Sequence, residues 1–193
     1  MNEDVLRKLV SQLLSYSHCC RPSKPAMYVL AADDVVNITS YPTCIIKNTN
    51  KAGVTSMGHW IAFFIPSRNK YEVMDSYGLP LSRYPDIVPP PGKCIAENCH
   101  TLQSNSSYLC GYYCALFLWH RSRGRIYRTF MRYFTDNFDK NDKLVIRLLR
   151  SYTAYAWFSL YAICPKDKQH CGKRKDHCEW EEPVNKLGRR AKF

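Results

Sequence analysis

A histidine, an aspartate and a cysteine occur in that order in settings suited to thiol catalysis. Gly58-His59-Trp60 opens an apolar run, Asp75 closes the next, and Cys110-Gly111 opens a third. A thiol attacks a carbonyl only as the thiolate, and a helix N-terminus lowers thiol pKa through its dipole and its free backbone N–H groups. A neighbouring imidazole takes the proton and later returns it to the leaving amine. A carboxylate on the other ring nitrogen fixes the tautomer and steadies the imidazolium. Gln103, seven residues before Cys110, supplies an amide that with the Cys110 backbone N–H would form an oxyanion hole. Each residue alone has a plainer reading, since a strand His is most often a satisfied core side chain and a helix Cys a small hydrophobe. The joint order, with Gln at that offset and Gly after the Cys, carries the catalytic reading.

The surrounding pattern says which elements must hold these groups. Val5, Leu6, Leu9, Val10, Leu13 and Leu14 recur at helical spacing over Glu3 to Tyr16, with Asn2 as cap. Residues 21–41 read as loop with short extended pieces. Thr43 to Lys47, His59 to Ile65 and Tyr71 to Asp75 read as strands, the last two joined across Ser67-Arg68-Asn69-Lys70 as a hairpin that sets His59 beside Asp75. Leu79 to Gly92, with five prolines, is an irregular connection, and His100 to Gln103 reads as a short strand. Cys110 to Trp119 is too long and apolar for a strand and reads as a buried helix. Arg125 to Phe134, Asp142 to Arg150 and Tyr152 to Ile163 read as three further helices. The change in composition after Cys164 predicts a core domain over 1–163 and a basic tail over 164–193.

Composition bounds the function. The chain has 193 residues, a net charge of +12 and 13% aromatic residues, so it can bury a core and is not a disordered basic tail. Its longest nearly apolar run, Ala154 to Cys164, is shorter than a membrane span, and the acidic start Met1-Asn2-Glu3-Asp4 lacks a secretory apolar segment. The expectation is a protein that is neither secreted nor inserted in a membrane, with its ten cysteines free, catalytic or metal-bound rather than paired. Between His120 and Arg150, nine basic residues stand against three acidic ones, interleaved with Tyr127, Tyr133 and Phe134. This favours sequence-independent phosphate contacts, through Arg121, Arg123, Arg125, Arg128 and Arg132, over a merely solvated face. The tail carries Cys164, His170, Cys171, His177 and Cys178, enough N/S donors for one zinc ion. A Cys-x2-Cys knuckle is missing, so no metal is assigned; free tail thiols or a pairing with Cys19 or Cys20 are the alternatives. The basic clusters Lys173-Arg174-Lys175 and Gly188-Arg189-Arg190-Ala191-Lys192 suit nuclear import or DNA contact, or equally a solvated tail.

His-Trp in a strand, Asp before a Tyr-Gly turn, and Gln-x6-Cys-Gly together resemble the adenovirus-type endopeptidases (adenain), whose relatives include the SUMO-specific isopeptidases. Thr43-Cys44-Ile45-Ile46-Lys47-Asn48-Thr49 and His59 to Phe63 are similar to the family's stretch before and through its histidine, and Cys110 to Leu118 to its nucleophile helix. The likeness spans roughly residues 1–160 and is strong over 43–75 and 103–120. The order His, Asp, Cys excludes the papain arrangement, in which Cys comes first.

The resemblance implies an α+β fold, an adenain/SUMO-protease-like cysteine peptidase with a small mixed β-sheet flanked by helices, that cleaves viral precursor proteins at Gly-containing sites during virion maturation, in the host nucleus and the virion. Cys110 takes the nucleophile's place, His59 the base's, Asp75 the orienter's and Gln103 the oxyanion donor's, with no cofactor needed for the chemistry. It also implies stimulation by DNA and by a viral peptide disulfide-linked to a cysteine upstream of the Gln, a place taken by Cys94, with Cys99 competing. The departures are Asp75 where the adenoviral enzymes usually have Glu, the absence of the usual Gly-Pro from Ser104 to Leu109, and a shorter, diverged C-terminal half. A deubiquitinase or SUMO isopeptidase is the alternative enzyme. A basic DNA-binding virion protein without activity is the alternative from another class.

Overall fold

The computed structural model describes residues 2–15 and 25–161, with side chains described as far as Ser151. Cys19, Cys20 and all the tail residues, among them Cys164, His170, Cys171, His177 and Cys178, lie outside the described residues. The chain runs α1 (Glu3–Ser15), β1 (Ala26–Leu30), β2 (Thr43–Asn48), β3 (Trp60–Ser67), β4 (Lys70–Met74), β5 (Lys93–Glu97), α2 (Cys110–Ser122), α3 (Tyr127–Met131) and α4 (Phe138–Tyr161). This is a mixed α+β fold in which one five-stranded sheet, ordered β1-β2-β3-β4-β5, is flanked by helices.

The sheet is antiparallel at its centre and parallel at both edges: β2/β3 and β3/β4 are antiparallel, while β1/β2 and β4/β5 are parallel. Its central strands are buried on both faces, which is why β3 reads as an unbroken apolar run rather than an alternating one. Period two sorts the residues. Cys44, Ile46, Trp60, Ala62, Phe64 and Met74 join the cluster built with α1, α2 and α4, while Ile45, Ile61, Phe63, Ile65, Tyr71 and Val73 join a second cluster closed by Ile87. Helix α2 lies within the first cluster, and Tyr113 through His120 are all buried. Truncating a side chain such as Phe117, which is fully buried, would cost about 3–5 kcal/mol. Helix α2 is therefore among the least movable of the described elements.

Where the structure departs from the sequence pattern, nonlocal pairing is the reason. Strand β5 alternates exposed and half-buried positions and directs Ile95 outward, so it carries no apolar signature of its own and exists through its parallel ladder to β4. Residues 100–103 are not a strand: the backbone N–H groups of Leu102 and Gln103 both donate to Ser76 O, at 2.8 and 3.0 Å. Helix α3 is shorter than the stretch from Arg125 to Phe134. The two helices read from Asp142 to Arg150 and from Tyr152 onward are one continuous helix, because nothing between them breaks the backbone. No helix among the described residues is long and apolar enough to cross a membrane.

Candidate active site

His59 immediately precedes β3, and the ladder between β2 and β3 fixes its backbone. Its N–H donates to Thr49 Oγ1 at 2.9 Å and its carbonyl accepts from Thr49 N at 2.8 Å. Gly58 leaves room for the Asn48 side chain, since a Cβ there would sit 1.9 Å from Asn48 Oδ1 and displace it. Asp75 follows β4. Continuing the β3/β4 register past the strand ends sets Tyr77 opposite His59 and Asp75 on its diagonal. Both contacts are realised: His59 Nε2 lies 2.5 Å from Asp75 Oδ1, and the Tyr77 ring stacks on the imidazole with centroids 4.4 Å apart.

The carboxylate is fully employed. Oδ1 also accepts the Tyr77 N–H at 2.9 Å, and Oδ2 accepts the Leu79 N–H at 3.1 Å and the Tyr84 hydroxyl at 2.8 Å. The Asp75 backbone is clasped by Asn98, whose Oδ1 accepts the Asp75 N–H at 2.9 Å and whose Nδ2 donates to the Asp75 carbonyl. The turn closing this segment requires Gly78 at φ +67°, where a Cβ would also meet the His100 carbonyl carbon at 2.4 Å. A buried carboxylate, 1% exposed and holding this many donors, is fixed in place.

Cys110 is the first residue of α2 and is 9% exposed. Its thiol hydrogen-bonds the His59 ring, which thus bridges Cys110 and Asp75. With Nε2 given to Asp75, Nδ1 is the nitrogen left for sulfur. Burial pushes the Cys110 thiol up, but the His59 hydrogen bond, the imidazolium charge and the backbone amides of Trp60 and Gly111 outweigh it and lower the pKa. Burial likewise opposes charge on His59, yet the hydrogen bonds and charges of Asp75 and Cys110 raise it to about 9. The two shifts are the two sides of one thiolate–imidazolium pair. Cys114, one turn on, is its opposite: fully buried, pushed well up by desolvation, and donating to the Trp60 carbonyl at 3.3 Å to pin α2 on β3.

Gln103 is fully buried. Its Oε1 accepts the Ser76 hydroxyl at 2.7 Å and its Nε2 donates to the Ser107 carbonyl at 2.6 Å, across the loop that leads into Cys110. Behind it, the Leu102 carbonyl accepts from Asn141 Nδ2 at 3.0 Å, and Tyr113 OH, 3.1 Å from that carbonyl, donates its one hydrogen to Asp142 Oδ1 at 2.8 Å. Pattern reading of the sequence picks out His59, Asp75, Cys110 and Gln103 but misses Ser76, Tyr77, Tyr84 and Asn98. Ser76 and Tyr77 adjoin Asp75 and were within reach of a reading of the Asp-Ser-Tyr-Gly turn. Tyr84 and Asn98 arrive through nonlocal folding and leave no local signal.

The remaining sequence candidates are placed as follows. Cys94 is half-buried on β5 with its thiol toward Ala96 O at 3.5 Å and its pKa raised by burial, whereas Cys99 is exposed. Arg121 faces inward, paired with Glu72 through Nε and Nη2 at 2.5 and 2.8 Å and lying over Phe64. Arg123 lies over Trp119, and Arg125 donates to Tyr133 OH at 2.7 Å; all three are half-buried. Arg128 and Arg132 are exposed, as are Lys140, Lys143, Arg147 and Arg150. Among the described residues no group of three or more His, Cys, Asp or Glu side chains is placed to hold a metal ion. No family model matches the chain, and no curated protein matches it.

Proposed function

We propose that the chain is a cysteine endopeptidase with the adenain/SUMO-protease-like fold, acting through a Cys110 thioester. The observation that carries the reading is the His59 ring bridging the Asp75 carboxylate and the Cys110 thiol at the start of a buried helix. In the forward step the thiolate adds to the scissile carbonyl, and the charge that forms on oxygen is met by the Cys110 N–H and the Gln103 amide. Imidazolium His59 then protonates the departing amine, the C–N bond breaks, and an acyl-enzyme remains. Neutral His59 next draws a proton from water, which adds to the thioester and releases the acid, restoring the ion pair. Asp75 keeps the ring aligned through both half-reactions.

By resemblance, the substrates are virion precursor proteins cut at Gly-containing sites in the host nucleus and the virion. DNA held on the exposed Arg128 and Arg132 would stimulate the enzyme, as would a viral peptide joined at Cys94 or Cys99. Asp75, in place of the adenoviral Glu, favours a second reading as a ubiquitin- or SUMO-directed isopeptidase. Incubating the purified chain with viral precursors and, separately, with ubiquitin and SUMO conjugates tests both. The first reading expects cleavage of precursors alone, and cleavage of conjugates alone would replace it with the second.

A further inference from the structure

Asp75 and Ser76 are consecutive, yet they serve different groups: Asp75 holds His59 and Ser76 holds Gln103. The orientation of the Gln103 amide follows from chemistry. The Ser107 carbonyl can only accept, so the atom 2.6 Å from it is Nε2, and Oε1 therefore faces Ser76. Ser76 is fully buried and its hydroxyl donates to that Oε1 at 2.7 Å, which disfavours the flipped amide by leaving two acceptors facing each other. One Nε2 hydrogen is committed to Ser107, and the amide retains a second. The backbone of Ser76 makes the same connection, because its carbonyl accepts the N–H groups of both Leu102 and Gln103.

We propose that Ser76 is a positioning residue for the oxyanion donor: its hydroxyl locks the Gln103 amide so that Nε2–H is presented to the carbonyl oxygen of an acyl group on Cys110. The proposal rests on the peptidase reading and deepens it. The dipeptide Asp75-Ser76 then sets the base and the oxyanion donor from one point of backbone, so that neither can shift without the other.

Two reagents separate this role from mere support of the fold. With p-nitrophenyl acetate, the Cys110 thiolate adds to the ester carbonyl to form the S–C bond, and the charge passes to oxygen. Collapse of this oxyanion breaks the C–O bond and releases p-nitrophenolate. Iodoacetamide alkylates the same thiolate by displacing iodide, with no oxyanion. Both rates are read at Cys110 by mass spectrometry of the full chain, and the acetylation rate is divided by the alkylation rate of the same sample, so that partial misfolding cancels. Ser76→Ala should lower this ratio about tenfold, and Gln103→Ala about 100-fold, the order of loss for one oxyanion donor. The double variant should match Gln103→Ala alone, because without the amide the hydroxyl has nothing to orient. Ser76→Thr, which keeps the hydroxyl, should restore most of the ratio.

An unchanged ratio in Ser76→Ala, or losses that multiply in the double variant, would overturn the proposal while leaving the peptidase reading intact. A wild-type chain that is alkylated at Cys110 but never acetylated would overturn the peptidase reading itself.

Discussion

Asp75 accepts the imidazole of His59 at 2.5 Å while both of its oxygens remain bound by donors from Tyr77, Leu79 and Tyr84. The carboxylate is thus built as a fixed acceptor that cannot follow the ring if the ring turns. Asp75→Asn should keep the shape and lose the charge. His59 should titrate well below about 9, and kcat/KM should fall roughly 10²–10⁴-fold. Histidine NMR titration of variant and parent, with kinetics on the same samples, checks both.

The ion pair also sets the shape of the pH profile. Activity should rise with pH as Cys110 ionises, at a pKa below that of a free thiol, and fall as His59 loses its proton near pH 9. The stability contributed by His59 has the same sign as its raised pKa. It is fully present below the unfolded value of about 6.5 and is lost as pH rises through about 9. A thiolate absorbance titration at 240 nm, compared between the parent and Cys110→Ala, reads the acid limb directly.

His120 predicts the opposite sign at the other end of the pH scale. It is fully buried near the end of α2, against Phe130 and Tyr133, and burial with the Arg125 charge lowers it to about 4. Its ring is therefore neutral when folded and binds a proton more readily when unfolded. Stability is present above about pH 6.5 and declines as pH falls towards 4, by on the order of 2–3 kcal/mol. His120→Gln should flatten that part of the stability curve, at some cost in stability at neutral pH; urea midpoints at pH 7, 5.5 and 4.5 measure it.

How far the sequence reveals all this depends on whether the signal is local. His59, Asp75 and Cys110 each stand where an apolar run begins or ends, so their elements were legible and the hairpin joining the first two followed from turn chemistry. Strand β5 and the Asn98 clasp were not legible, because each exists only through a partner more than 20 residues away in sequence. The basic stretch shows the same limit from another side. Charge can be counted in a sequence, but whether Arg121 meets solvent or Glu72 is decided by the packing of α2 on the sheet.

That distinction separates two classes of arginine variant. Arg121→Ala would leave the nearly buried Glu72 carboxylate without its bidentate partner, at a cost of about 3–5 kcal/mol in stability. Arg128→Ala and Arg132→Ala should leave the melting temperature within a degree or two, weaken duplex DNA binding and each lower the salt slope by about 1. Melting curves and fluorescence anisotropy at several salt concentrations distinguish them.

Whether Cys110 is the nucleophile of a peptidase is tested by precursor cleavage with the chain and with its Cys110→Ala variant, Cys114→Ala serving as control. Cys110→Ala should abolish cleavage with the fold retained, while Cys114→Ala, which loses only a buried contact to the Trp60 carbonyl, should still cleave. Processing that persists in folded Cys110→Ala protein would contradict that role for Cys110.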